Sequence, residues 1–261
     1  MHAKAMLESP RKGYLLVNVE PELDCHNAAQ AAQAMAQAEC VVALTAYKSE
    51  ALRDAHVLLP IAPFTETSGT FMSMEGRVQS FAAVTKPQGE CRPGWKVLRV
   101  LGNTLGLDGF DFDSSEQVKD AIFGGEKPSK VVWRTLNNNL RELIEIVVKI
   151  KTDCLQRVGE VPQFQTDAIV RRSPPLQKTR HKAPAIAAMH GEQLARLGLT
   201  DGQPVSVRQN DGSLTLPARR DDRVPLGVVR VIGADAATLA LGDLMGEIFV
   251  EAATADTAVN A

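Results

Sequence analysis

The side chains best suited to hold a ligand lie between residues 65 and 77. Thr65, Thr67, Ser68, Thr70 and Ser73 supply hydroxyls, Gly69 and Gly76 free the backbone, and Glu75 and Arg77 set opposite charges beside the second glycine. Backbone N–H groups of such a loop, with hydroxyls and an arginine, are groups that bind anionic or strongly polar ligands. The run follows Val57, Leu58 and Leu59, and is bounded by Pro60 and Pro63. Proline donates nothing to a sheet ladder and biases its predecessor to extended geometry, so a buried strand is predicted to end here and an ordered loop to begin. A polar loop at the carboxyl end of a buried strand is where open α/β sheets bind ligands. Residues 71–74 and 77–81 flank Glu75-Gly76 as arms of a β-ribbon turning at the glycine. Phe71, Val78 and Phe81 are expected to lie against the end of the sheet.

Other chemistry is sparse. Cys25, Cys40, Cys91 and Cys154 stand far apart with no C-x-x-C, and the five histidines form no metal-binding pair. Iron–sulfur sites need clustered thiolates, so neither a metal site nor a catalytic residue is expected. A net charge of −2 with 23% charged residues signals no preference for nucleic acid. No apolar run approaches a membrane span; the longest, residues 144–150, is broken by charge. The first residues lead into no apolar signal core, which predicts no export.

The positioning elements read as follows. Residues 14–19 (YLLVNV) suit a strand buried on both faces, Asn27 caps an alanine-rich helix over 28–39, and residues 40–44 (CVVAL) form a second buried strand. Ser49 opens a short helix before the third strand at 57–59. Strand–helix alternation at these lengths predicts right-handed crossovers and a parallel sheet. The first turn, EPELDCHN, is acidic and lacks G-x-G-x-x-G, which excludes a common dinucleotide site. Trp95, Leu98, Leu101 and Leu105 mark one face of a helix ended by Gly106. Trp95 reads as a core anchor rather than a stacking platform. Ser114 and Gln117 have capping-box spacing, and Gly124-Gly125 closes that helix. Leu136, Leu140, Leu143, Val147 and Ile150 predict a further amphipathic helix. Residues 159–182 hold prolines and a basic cluster with Arg171, Arg172, Lys178, Arg180 and Lys182, either a solvated connector or a packed strap. From 183 onward, alternating strands around Asp211-Gly212 predict a small barrel. The expected organisation is an α/β domain at 13–125, a helical segment at 126–158, a linker outside both cores at 159–182, a β-barrel at 183–250 and a disordered tail at 251–261.

LLPIAPFTETSGTF followed by EGRVQSF resembles the molybdopterin oxidoreductase superfamily. Within it, NVEPELD, RPGWKVLRVLGN and VRR followed by PPLQ-T are similar to the family of G subunits of bacterial NADH-quinone oxidoreductase, respiratory complex I. LGLTDG, the hairpin and PLGVV resemble the superfamily's molybdopterin-dinucleotide-binding barrel, of double-psi type. The resemblance covers roughly residues 10–250. It implies a molybdopterin-like parallel α/β domain followed by that barrel. It also implies the carboxyl-terminal portion of a peripheral-arm subunit, whose iron–sulfur ligands belong to an amino-terminal region without counterpart here.

The function so implied is scaffolding, in support of electron transfer from NADH to quinone, with other complex I peripheral-arm subunits as partners. The location implied is the cytoplasmic side of the bacterial inner membrane, without insertion. Ser73 stands where the superfamily often has asparagine, so the pterin loop, Thr67, Ser68, Gly69, Thr70, Glu75, Gly76 and Arg77, is expected to be vestigial and the chain to bind no cofactor. The rival expectation is an active molybdopterin-dependent oxidoreductase subunit, formate dehydrogenase-like, holding molybdopterin guanine dinucleotide. A third is an adaptor acting through the basic strap.

Overall fold

The structure is a computed structural model and describes residues 2–126 and 154–253. The amphipathic helix expected from Leu136 to Ile150 lies outside the described residues. By its contacts the chain divides into one unit of residues 1–43, 49–57 and 149–261, and a second of 44–48 and 58–148. This differs from the division expected at 13–125 and 183–250, because the first strand and helices share a unit with the barrel.

In the first unit, α1 (Ala3–Glu8) precedes β1 (Gly13–Val17), α2 (Pro21–Asp24), α3 (Ala28–Ala36) and β2 (Cys40–Thr45). With β3 (Val57–Pro60), the strands form a parallel sheet in the order β1-β2-β3. Asn27 caps α3 as its sequence predicts, its side chain accepting from the Gln30 N–H at 2.8 Å. The small face of that helix, Ala28, Ala31 and Ala34, is buried with Met35. β1 is not buried on both faces: it is the sheet's edge, and Leu15 and Val17 are exposed. Tyr14 on the same strand donates its hydroxyl to the Met6 carbonyl at 3.0 Å, tying α1 down.

The larger core lies inside a closed barrel of β6 (Leu155–Val158), β7 (Ala187–Met189), β8 (Pro204–Gln209), β9 (Gly212–Arg220), β10 (Val228–Arg230) and β11 (Met245–Ala252). Their order around it is β10-β6-β11-β8-β9-β7. Closure leaves no sheet edge, and Met189, Val205, Val207, Val229 and Ile248 fill the interior. Two sequence expectations need correction. Leu155–Val158 is a barrel strand rather than the end of a helical segment, pairing with β10 in parallel and β11 in antiparallel. Its four residues are too few for a periodicity to be told from that of the helical pattern upstream. The hairpin loop is Asn210-Asp211, since Gln209 pairs with Gly212. Gly212 is required by close approach: a Cβ there would stand 1.6 Å from the Ala240 carbonyl oxygen.

Arg157 is buried inside this barrel. Its guanidinium donates to Gln209 Oε1 at 3.0 Å and to the carbonyls of Ile232 at 3.0 Å and Asp243 at 2.6 Å. Burial draws its pKa down to about 10, which leaves it charged near neutrality.

Residues 159–182 do not lie outside the cores. They contain the short helices Ala168–Arg171 and Pro174–Gln177 and belong to the first unit. Arg171 and Arg172 close on Glu20, which is 2% exposed. Arg171 reaches Glu20 Oε2 at 3.0 Å and Asp24 Oδ1 at 2.7 Å. Arg172 and the Ser49 hydroxyl both donate to Glu20 Oε1. Thus Ser49 does not cap the turn that follows it, Glu50–Leu52, which is 3₁₀. The acid that this basic segment meets is in its own chain.

The second unit holds a ribbon of β4 (Gly69–Met72) and β5 (Val78–Phe81), then α4 (Gly94–Thr104) and α5 (Ser115–Phe123). Ser114 caps α5 through the Gln117 N–H, while Gln117 returns its carbonyl to the Asp113 N–H at 2.7 Å. Among the described residues this unit buries few apolar side chains, Leu44, Ile61 and Ala62. Leu105, expected on the packed face of α4, is 64% exposed, because α4 ends at Thr104 and Gly106 turns the chain away at φ 67°.

Glu20→Gln should remove the buried carboxylate that Arg171 and Arg172 share, at a cost of about 3–5 kcal/mol in chemical denaturation. Burial alone would raise the Glu20 pKa, but hydrogen bonds from Arg172 and Ser49 and both arginine charges outweigh it and hold it below the ordinary glutamate range. A lowered carboxylate pKa contributes stability above the unfolded value. The deficit of Glu20→Gln should therefore be constant above about pH 6 and shrink as pH falls through about 4.3 and below. A pH-independent deficit would mean that Glu20 is not charged in the folded protein.

Arg157→Leu should cost about 3 kcal/mol or more, since it strands Gln209 and two buried carbonyls without donors. The same denaturation series reads it.

Candidate functional site

The seven loop residues singled out by sequence lie at the two ends of the ribbon. Gly69 pairs with Phe81 and Met72 with Val78, so Thr67 and Ser68 precede one end while Glu75, Gly76 and Arg77 form the other. At about 3.3 Å per residue, the four ladder pairs keep the groups about 10 Å apart. The turn is closed by the Gly76 N–H donating to the Ser73 carbonyl at 2.9 Å. Gly76 then takes φ 77°, and the Ser73 N–H donates back to the Arg77 carbonyl at 2.9 Å. This is a tight turn with a glycine bulge, and only glycine adopts that φ without strain. Ser73 serves the turn as well, its hydroxyl accepting from the Arg77 N–H at 3.1 Å. Among the described residues the exposed Arg77 side chain has no carboxylate partner, and Glu66 accepts from the Gln88 N–H instead.

At the other end the hydroxyls are already engaged. Ser68 Oγ is 2.8 Å from Ser115 Oγ on α5, Thr70 Oγ1 is 3.0 Å from Ser80 Oγ, and Thr67 donates to the Ser68 carbonyl at 3.0 Å. Phe71 does not pack against the sheet. It is 62% exposed and stacks on Phe81 across the ribbon, the centroids 4.9 Å apart. The Phe81 ring also covers Gly69, where a Cβ would come within 2.9 Å of Cζ.

Between the ribbon and α5 lies a cleft of about 440 Å³. Ser68, Gly69 and Thr70 line it with Phe71, Met72 and Val78, and its far walls are Trp95, Val118, Ile122 and Phe123. Trp95 is thus a half-buried cleft wall rather than a core anchor, and its indole Nε1 is buried without an acceptor. Lys119 is the cation in this wall. Among the described residues the lining has no histidine, cysteine or carboxylate. The α5 wall was legible in principle: Ser115, Val118, Lys119 and Ile122 recur at steps that share one helix face. What concealed it was the distance along the chain from the hydroxyl loop.

The donor set at the ribbon does not fit a pterin dinucleotide. A diphosphate needs converging N–H groups and cations. Here Ser68 pairs with Ser115 and Thr70 with Ser80, Thr67 donates to its own loop's backbone, and Arg77 stands at the opposite end. Several of the barrel's arginines are held by carboxylates, while Arg208 lies over the Phe249 ring. Arg220 grips Asp222, which also accepts from the Gly191 N–H, and these hydrogen bonds draw the Asp222 pKa down to about 2. Asp221 takes Arg223 and Arg230, Arg223 being the larger cause of a pKa of about 2, and Arg230 reaches Glu160 at 3.0 Å.

Residues 1–104 match the family model described as molybdopterin oxidoreductase, and residues 159–259 match the molydopterin dinucleotide binding domain. Against curated proteins, the chain is 32% identical over 115 residues to a nitrate reductase of Synechocystis, 43% of this chain and 16% of that one. It is 47% identical over 51 residues to the mitochondrial NADH-ubiquinone oxidoreductase 78 kDa subunit of Candida albicans, 20% of this chain and 7% of that one. These matches therefore span under a fifth of the relatives' length. Among solved structures, acetylene hydratase from Pelobacter acetylenicus shares the fold with a TM-score of 0.64 at 16% identity, over 95% of this chain and 45% of that one.

Gly76→Val should lower stability by about 1–3 kcal/mol, because a β-branched residue is strained at that φ. Arg77→Ala, which removes an exposed side chain, should stay within about 0.5 kcal/mol of the parent. Thermal melts of both variants decide this, and a Gly76→Val melt like the parent's would remove the turn from its assigned place.

Proposed function

From a chain that carries a molybdopterin oxidoreductase domain and a molybdopterin dinucleotide-binding domain, we propose a scaffold in a multi-subunit NADH:quinone oxidoreductase. The observation that carries this reading is the separation of the loop hydroxyls from Arg77 along the ribbon, with the hydroxyls spent on Ser115, Ser80 and the loop's own backbone. In this reading the pterin site, Thr67, Ser68, Gly69, Thr70, Glu75, Gly76 and Arg77, is vestigial, and the chain alone is not catalytic. Similarity to the NADH-ubiquinone oxidoreductase 78 kDa subunit supports the choice of complex. The partners are then other peripheral-arm subunits of complex I, at the cytoplasmic side of the bacterial inner membrane. No described helix is long and apolar enough to cross a membrane. In this reading the iron–sulfur electron transfer of that assembly falls to other segments.

A second reading, a molybdopterin-dependent oxidoreductase, draws on the dinucleotide-binding match over 159–259 and the similarity to nitrate reductase. Two measurements on the chain, purified anaerobically from a molybdenum-replete host, separate the readings. Elemental analysis and pterin fluorescence after oxidation should find molybdenum, iron and pterin far below one per chain. Cross-linking in the native host should join the chain to complex I subunits. Near-stoichiometric molybdenum with pterin would overturn the scaffold reading in favour of the second.

A further inference from the structure

The second unit carries a groove along α4 that the ribbon does not share. Its floor is apolar, formed by Leu59, Val97, Val100 and Leu101, and its volume is about 720 Å³. Val100 is 61% exposed. Arg92, Lys96 and Arg99 stand around it, with Asp113 as the acidic residue among the lining.

What sets these cations apart is that they are uncompensated. Among the described residues none of the three forms an ion pair. Arg92 donates to the Cys91 carbonyl at 3.0 Å, Lys96 lies 5.3 Å from the centre of the Trp95 ring, and Arg99 Nε is buried with no acceptor. In the first unit, by contrast, Arg53, Arg171, Arg172, Arg219, Arg220, Arg223 and Arg230 all reach carboxylates. A second observation concerns the same unit. Leu44, Ile61 and Ala62 are a small apolar core for a unit that also exposes Val100, Leu105 and Leu107. Apolar surface rimmed by charge, as at Val100 in this groove, suits an interaction face.

We propose that this groove docks an acidic amphipathic segment of a partner polypeptide, apolar side chains on the α4 floor and carboxylates on Arg92, Lys96 and Arg99. Charge complementarity selects the occupant: three unpaired cations over an apolar floor disfavour a basic segment and leave a purely apolar one with unsatisfied guanidinium groups. The inference does not depend on which oxidoreductase the chain serves.

The test uses the full 261-residue chain and a fluorescein-labelled helical peptide of about 14 residues, leucine at helix-face spacing and glutamate elsewhere. Its control replaces every glutamate by lysine. Fluorescence anisotropy should show saturable binding of the acidic peptide, weakened by salt, and binding of the basic peptide weaker by about tenfold or more. Val100→Asp and Arg92→Glu/Lys96→Glu should each weaken the acidic peptide about tenfold, the latter also flattening the salt dependence. Lys96 is exposed, so Lys96→Glu alone carries the test should the other variants melt early. Equal binding of both peptides, or binding indifferent to these substitutions, overturns the proposal. So does a concentration-dependent dimer lost in Val100→Asp, which would assign the groove to a second copy, and so does equal competition by polyphosphate.

Discussion

A carboxylate taken out of water stays charged only when several donors converge on it, and Glu20 meets that demand with three residues from two separate stretches of chain. Ser49 comes from the end of the first βαβ unit, while Arg171 and Arg172 come from a segment 151 and 152 residues beyond Glu20. Asp24, one turn from Glu20, takes the remaining reach of Arg171 and also receives the Glu20 N–H. The arrangement fixes where the chain must pass on its way into the barrel. A second tie, Asn27 to Asp243 at 2.6 Å, secures the start of α3 to the loop before β11. Because both arginines converge on Glu20, the cluster specifies one path for residues 163–177 more than it adds net stability.

The two units solve the problem of apolar burial differently. The barrel closes its hydrogen bonding on itself and buries a contiguous interior, with Arg157 as a polar post holding β6, β8 and the segments of Ile232 and Asp243 in register. The ribbon and its two helices have no such closure. Their order comes from caps, from a glycine turn and from side-chain hydroxyl pairs, and much of their apolar surface faces outward.

In the proposed reading, fold and site part company in this chain. The segments that make it resemble molybdopterin enzymes preserve a strand, a loop and a ribbon, and these geometric elements persist with or without a ligand. In the proposed reading Arg77, at the far end of a four-pair ribbon from Thr67 and Ser68, does not complete a phosphate cradle with them. The glycines mark the same division. Gly76 is held by its turn and Gly69 by the Phe81 ring, so each has a structural reason to be glycine apart from any ligand.

Local signals settled much of the architecture. The Asn27 and Ser114 caps, the left-handed Gly106 and Gly124, the turn at Gly76 and the alternation of the barrel strands each depend on residues within a few positions of one another, so sequence alone determined them. Periodicity misled where an element was too short or lay at an edge: Leu155–Val158 has four residues, and β1 shows the run of a buried strand while leaving Leu15 and Val17 exposed. Pairings across the chain were decided only in three dimensions. Nothing near Arg171 in sequence names Glu20 as its partner, and nothing near Ser68 names Ser115. The proximity of Gly212 to the Ala240 carbonyl is equally silent in the sequence, because each of these distances is set by how whole elements pack rather than by the residues beside them.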